Sequence, residues 1–191
     1  FRIDKQSIAI LPDLSRRTPV VDPDDHHLFV SLGCAAENLL QAAKAFGFMG
    51  NAEFSPDSSG IITVALERSK AEESPLFKAI ADRQCTRTEY DGKPLDSQEL
   101  RLLEAAGTGH GVSVILLTER EAMEKALEYV VQGNAMQINN PAFVSELESW
   151  IRFSDGEAIR TGDGLPARAT GNPPAPRWLG KIMFRAFFRA K

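Results

Sequence analysis

The segment from Asp22 to Gly47 constrains the fold more than any other part of the chain. Asp22-Pro23-Asp24-Asp25 predicts a helix start, with an acidic N-cap, a first-turn proline and carboxylates near the positive helix end. The apolar pattern continues to about Phe46, and Gly47 predicts the end of the helix. Apolar and small residues cover almost its whole circumference, and they include Cys34, whose thiol we expect to be buried. A helix of this kind is typical of a central, buried element.

Strands and further helices surround this segment in the sequence. Apolar alternation, β-branched residues and turn residues predict strands at 1–4, 7–11, 52–55, 61–66 and 112–117, the last of them buried. Helices are predicted at 74–82, 97–106, 119–137 and 141–151, and the third of these should turn Ala122, Ala126, Tyr129, Val130 and Met136 inward. The chain is therefore expected to have an α+β fold, with a mixed or antiparallel sheet and long buried helices.

Composition excludes several classes of function. The chain has 191 residues and a net charge of −4, which disfavours general nucleic-acid binding. No apolar run is long enough to span a membrane, and no signal peptide is recognisable, so we expect a cytoplasmic protein.

The spacing of the cysteines and histidines does not indicate a metal site. Cys34 and Cys85 do not have a disulfide or zinc spacing, and His26 and His27 are adjacent instead of one helical turn apart. We expect neither a metal site nor a catalytic acid or base.

The run Asp82-Arg83-Gln84-Cys85-Thr86-Arg87 follows the helix predicted to start at Ser74-Pro75. In an extended chain, side chains two positions apart share a face, which places Arg83, Cys85 and Arg87 together. Two guanidiniums flanking a small side chain are suited to binding a phosphate or ribityl group. Two solvated arginines in a loop are the other interpretation. The same two interpretations apply to Arg16-Arg17.

Several segments together resemble the twin-domain (Acg-type) branch of the nitroreductase family, in which two nitroreductase-like halves are fused in one chain. Residues 79–91 resemble the family's flavin-phosphate motif, where an Arg-x-Ser/Thr-x-Arg/Lys run contacts FMN. The other segments that carry the resemblance are 12–23, 31–39, 148–153, 162–165 and 171–173. The resemblance implies that Arg83 and Arg87 bind FMN. Cys85 stands where the family has Ser or Thr and is implied to be a weaker contact, because a thiol is a weak hydrogen-bond donor.

What the resemblance implies is an FMN-dependent oxidoreductase. NAD(P)H would reduce FMN, and a small-molecule acceptor would take the electrons from the flavin. An FMN-binding protein that sequesters the flavin under a lid, without turnover, is the alternative. Both readings leave open whether the chain is a pseudo-dimeric monomer or a homodimer.

The resemblance also predicts the domain organisation. We expect a first nitroreductase-like half at 1–70 and a second at 74–191, each truncated at its outer end. The Gly- and Pro-rich segment 160–176 fits neither a helix nor a strand, and it would act as a lid over the flavin cleft or as a disordered linker.

The last segment, residues 177–191, combines basic and apolar residues without an acidic residue. A helix that lies at a membrane interface has this composition. We favour the other interpretation, a helix that packs its aromatic face on the rest of the domain.

Overall fold

The computed structural model describes residues 1–58, 60–83, 89–109, 111–171 and 173–188. The chain divides into two compact units, Phe1–Thr86 and Arg87–Lys191. Helices and a small antiparallel sheet occur together, so the predicted α+β class is confirmed at this level. The predicted halves 1–70 and 74–191, as nitroreductase-like domains, stay a prediction.

The first unit contains a four-stranded antiparallel sheet. Its strands are β1 (Arg2–Ile3), β2 (Ser7–Ile10), β3 (Phe48–Ser55) and β4 (Ile61–Arg68), in the spatial order β1-β2-β4-β3. β3 and β4 form a hairpin, in which Ala52 lies opposite Val64. The four strands predicted in this unit are confirmed, and β3 begins four residues earlier than expected.

Helix α1 (His26–Ala45) packs on this sheet with one face only. The core residues that it contributes or contacts are Ile10, Leu32, Ala36, Leu39, Leu40, Ile62 and Val64. The prediction of an apolar helix buried all round is wrong, because a single sheet covers a single side of the helix. Cys34 lies on the opposite side and is exposed, so the predicted buried thiol is wrong as well.

The start of α1 also differs from the prediction. Helical geometry begins at His26, and Asp25 occupies the N-cap with a left-handed φ of 58°. Pro23 therefore precedes the helix and does not occupy its first turn. Asp22 still contributes to the helix start, as described below.

Helix α2 (Pro75–Asp82) begins as the sequence predicts, with Ser74 as N-cap and Pro75 in the first position. The Ser74 hydroxyl accepts the Phe77 N–H at 3.0 Å and donates to the Gln41 side chain of α1 at 2.7 Å. The rings of Phe77 and Phe46 contact each other edge to face. The beginning of α2 is thus fixed to α1.

The second unit is mainly helical, with α3 (Ser97–Gly107), α4 (Arg120–Ile138) and α5 (Pro141–Trp150). All three predicted helices are confirmed. Their starts follow local rules: Asp96 and Glu99 form a capping box, and Asn140 caps α5 ahead of Pro141.

Two predictions for residues 112–137 are wrong. Residues 112–117 do not form a strand, and Val112 makes an isolated bridge with Gly109. An apolar run becomes a strand only where another strand can pair with it, and none of the described residues does so here. On α4, Ala122 and Ala126 are half-buried, but Tyr129, Val130 and Met136 are exposed.

The chain then forms β5 (Ile151–Arg152), α6 (Asp155–Thr161), β6 (Leu165–Pro166) and α7 (Arg177–Phe187). β5 and β6 are parallel, with Ile151 opposite Leu165. The prediction that 160–176 contains neither helix nor strand is therefore wrong for its first part, because α6 extends to Thr161 and β6 follows. None of the helices in the described parts of the chain is long and apolar enough to cross a membrane.

Candidate functional site

The predicted FMN-binding residues follow the end of α2. Arg83 is the C-cap residue of this helix, and its backbone N–H donates to the Ala79 carbonyl at 2.9 Å. Its backbone is extended (φ −66°, ψ 126°), and its side chain is exposed. Cys85 and Arg87 lie outside the described residues, so the predicted clustering of the three side chains stays a prediction.

The Arg83 guanidinium differs from those of Arg16 and Arg17, the other candidate anion ligands, in its ion pairing. No carboxylate of the described residues lies within ion-pair distance of it. Arg17, in contrast, is paired through Nε with Asp25 Oδ1 at 2.6 Å, and Arg16 Nε lies 3.3 Å from Asp13 Oδ2. Among the described residues, Arg83 thus has no carboxylate partner, whereas Arg16 and Arg17 each have one.

Arg16 and Arg17 line a cavity of about 230 Å³ at the beginning of α1. The Asp22 carboxylate accepts the backbone N–H groups of His27 and Leu28 at 3.0 and 3.1 Å. Burial alone would raise the pKa of Asp22, but these two hydrogen bonds and the neighbouring histidines lower it below its ordinary value. Because Asp22 occupies the helix N-terminus as an anion, this cavity is not suited to a second anion.

The most extensive charged cluster of the second unit surrounds the segment Glu148–Phe153. Arg152 is almost fully buried, and its guanidinium donates to Asp163 Oδ1 at 3.0 and 2.7 Å, to Thr161 and to the Ser149 carbonyl. It also lies over the Trp150 ring, 5.8 Å from its centroid. These contacts link α5 to the end of α6 and to β6.

A second group of ion pairs links α7 to the same cluster. Buried Glu148 binds Arg185 through two hydrogen bonds and contacts Lys181 Nζ at 3.0 Å. Buried Glu157 accepts the Phe153 N–H and lies 3.3 Å from Arg177 Nη1.

The hydrogen bonds from Arg185, with a smaller contribution from Lys181, lower the pKa of Glu148 against the opposing effect of burial. Glu148 is therefore ionised at neutral pH. Every buried side-chain nitrogen and oxygen of the described residues has a hydrogen-bond partner. The ion pairs and hydrogen bonds of this cluster therefore satisfy its buried polar atoms.

This network was not predicted from the sequence, although 148–153 belongs to the segments that carry the family resemblance. A signal was present in residues 177–191, whose cations have no acidic residue near them in sequence. Unpaired cations on a helix with apolar neighbours indicate that acidic partners lie elsewhere in the chain.

Metal binding has no support among the described residues, which contain no group of three or more His, Cys, Asp and Glu side chains. His26 and His27 contact each other through their rings, edge to face. Comparisons of the chain with protein-family models, with curated proteins and with solved structures found no match.

Proposed function

We propose that this chain is an FMN-dependent oxidoreductase of the nitroreductase type. It would transfer electrons from NAD(P)H through FMN to a small-molecule acceptor, in a twin-domain nitroreductase-like fold and in the cytoplasm. The proposal rests on the sequence resemblance described above and on the properties of Arg83.

The exposed guanidinium of Arg83, which has no carboxylate partner among the described residues, is the observation that supports this proposal. An exposed arginine without a carboxylate partner among the described residues can bind a phosphate without first breaking an ion pair. Helix α2 holds the Arg83 backbone, because Ser74 and Phe77 fix the beginning of the helix to α1. The residue is thus anchored at its backbone and exposed at its side chain.

The residues present fit the phosphate and ribityl part of FMN. Arg83, together with Arg87 four residues further on in the sequence, would bind the phosphate through charge-assisted hydrogen bonds. Cys85 would contact the ribityl chain more weakly than the hydroxyl residue of the family motif. Bound FMN would supply the hydride and electron chemistry, and the role of these residues is to bind and orient it.

Flavin titration of Arg87→Ala and Arg83→Ala tests the assignment. Loss of one charge-assisted contact of about 1.5–3 kcal/mol predicts FMN binding that is weaker by about 10- to 150-fold. Arg101→Ala is the matched control, because Arg101 is an exposed arginine on α3. Unchanged FMN affinity in both variants, or an equal loss in Arg101→Ala, contradicts the proposed site.

The alternative function is FMN binding without turnover, and the contacts of Asp163, Arg168 and Ala175 favour it. The segment that contains them is held by the Arg152–Asp163 pair, by the Arg168–Asp155 pair and by the Ala175 N–H bond to the Phe153 carbonyl. A segment fixed in this way could keep a flavin cleft closed to nicotinamide.

Anaerobic addition of NADPH to the flavin-loaded protein distinguishes the two functions. An oxidoreductase loses its visible flavin absorbance, and a sequestering protein keeps it.

A further inference from the structure

Helix α7 has an unusual orientation, in which its three cations reach buried carboxylates while most of its large apolar residues face solvent. Lys181 and Arg185 reach buried Glu148, and Arg177 reaches buried Glu157. Apolar contacts fix the same face, because buried Gly180 packs against Phe153 and the Phe184 ring contacts the Phe153 ring.

The opposite face of α7 is continuous, apolar and exposed. Trp178 is 67% exposed, Ile182 59% and Phe187 80%, and Met183 lies between the last two. Positions 178 and 182, and positions 183 and 187, are one helical turn apart, and exposed Leu179 and Ala186 lie between these two pairs around the helix, so together they form one broad surface. The expectation that α7 packs its aromatic face on the domain is therefore met by Phe184 but not by Trp178 or Phe187.

This apolar face has a basic border. The side chains of Arg177 and Arg185 remain 61% and 68% exposed although each has a carboxylate partner. Residues 177–191 contain five of the 22 basic residues of the chain and none of its 26 acidic residues. Three of these cations lie on α7, and Glu148 and Glu157 are their carboxylate partners, so the pairing leaves one positive charge in excess at this helix.

We infer that α7 docks on an anionic phospholipid surface, with Trp178, Ile182, Met183 and Phe187 inserted between the headgroups. A helix that lies in the membrane interface combines an apolar face that includes Trp or Phe with flanking cations. Lipid fits this surface better than a second α7, because pairing two copies would bring the basic borders together. The ion pairs to Glu148 and Glu157 orient α7, so insertion requires no change in the fold.

Vesicle flotation with the full chain tests this inference. We expect binding to phosphatidylcholine vesicles that contain phosphatidylglycerol and much weaker binding to phosphatidylcholine alone. Raising the salt from about 0.1 M to about 1 M should weaken binding, since it shortens the Debye length from about 10 Å to about 3 Å. Equal binding to the two kinds of vesicle, or no binding to either, overturns the inference.

Two variants locate the surface. Ile182→Glu should lower the vesicle partition coefficient by about tenfold or more, because it removes an inserted side chain and adds a negative charge. Leu127→Glu is the matched control and should bind like the unmodified chain, since Leu127 is exposed to a similar extent on α4, between Glu124 and Glu128. Equal losses in both variants overturn the inference.

Trp178 gives a readout that does not depend on a charged substitution. Brominated lipid should quench the tryptophan fluorescence of the unmodified chain, and Trp178→Phe should abolish most of the quenching while half-buried Trp150 remains.

A second copy of the chain is the competing occupant of this surface. An oligomer that dissociates in Ile182→Glu, without vesicle binding by the unmodified chain, would replace lipid with that partner and overturn the inference.

Discussion

Arg185 binds Glu148 through two parallel hydrogen bonds, from Nε to Oε2 at 2.7 Å and from Nη2 to Oε1 at 3.0 Å. The two residues are 37 positions apart and join α7 to α5. Because the Glu148 carboxylate is buried, this contact determines which side of α7 faces the protein.

Substitution of Glu148 tests the contribution of this contact to stability. Glu148→Gln removes the charge that compensates Lys181 and Arg185, and we expect the free energy of unfolding to fall by about 1–2 kcal/mol. The loss is smaller than for a fully buried pair, since the Arg185 side chain is largely exposed. Urea denaturation measures it, with Glu128→Gln on the exposed side of α4 as control. Equal midpoints for the two variants would show that the ion pair is not stabilising.

The same carboxylate predicts how stability depends on pH. Hydrogen bonds from Arg185 and Lys181 lower the pKa of Glu148 in the folded chain below its ordinary value of 4.5. Its contribution is therefore fully present above pH 4.5 and is lost as the pH falls through the lowered value. Urea titrations from neutral to acidic pH should show a steeper loss for the unmodified chain than for Glu148→Gln. Parallel profiles would contradict this assignment.

Gly180 should tolerate no side chain. A Cβ at this position would lie within 2.6 Å of Phe153 Cγ and 2.8 Å of Phe153 Cβ, and Phe153 is buried and cannot move away. Gly180→Ala should lower the free energy of unfolding by about 1–2 kcal/mol, because overpacking exceeds the gain in helix propensity.

Gly133→Ala is the control for this substitution. Gly133 lies within α4, and a Cβ there would meet nothing within 4 Å. The control variant should therefore be more stable than the unmodified chain by about 0.5–1 kcal/mol. Thermal unfolding of both variants measures the difference, and a stabilised Gly180→Ala would contradict the packing of α7 on Phe153.

Cys34 should react with thiol reagents in the folded protein. In a Cys85→Ser variant it is the one remaining cysteine, and it lies on the exposed side of α1. We expect complete reaction with Ellman's reagent in the absence of denaturant. A thiol that reacts only after unfolding would support the burial that the sequence pattern predicts.

Helix starts that depend on neighbouring residues were predicted in part. Ser74-Pro75 begins α2 as the sequence predicts, and Asn140 and the Asp96–Glu99 capping box begin two further predicted helices by local contacts, but Asp22-Pro23 does not form the N-cap and first turn of α1. Features that depend on residues distant in the sequence were not predicted correctly. Residues 112–117 have the composition of a buried strand but no strand among the described residues to pair with.

In the candidate site as well, features set by neighbouring residues were predicted and features set by distant residues were not. The position of Arg83 at the end of α2 follows from the local pattern that begins at Ser74. The pairing of Arg17 with Asp25 requires the left-handed backbone of Asp25, and the pairing of Glu148 with Arg185 requires the packing of α7 on α5. Neither can be derived from residue spacing, because both depend on how separate segments come together.

The eight-residue strand β3 forms one end of the sheet, beyond its partner β4. No strand of the described residues pairs with its outer edge, and an unpaired edge of this length is a template for main-chain hydrogen bonds to an added extended peptide. Because the core lies between α1 and the inner strands, a strand added at this edge would lengthen the sheet and leave the core intact.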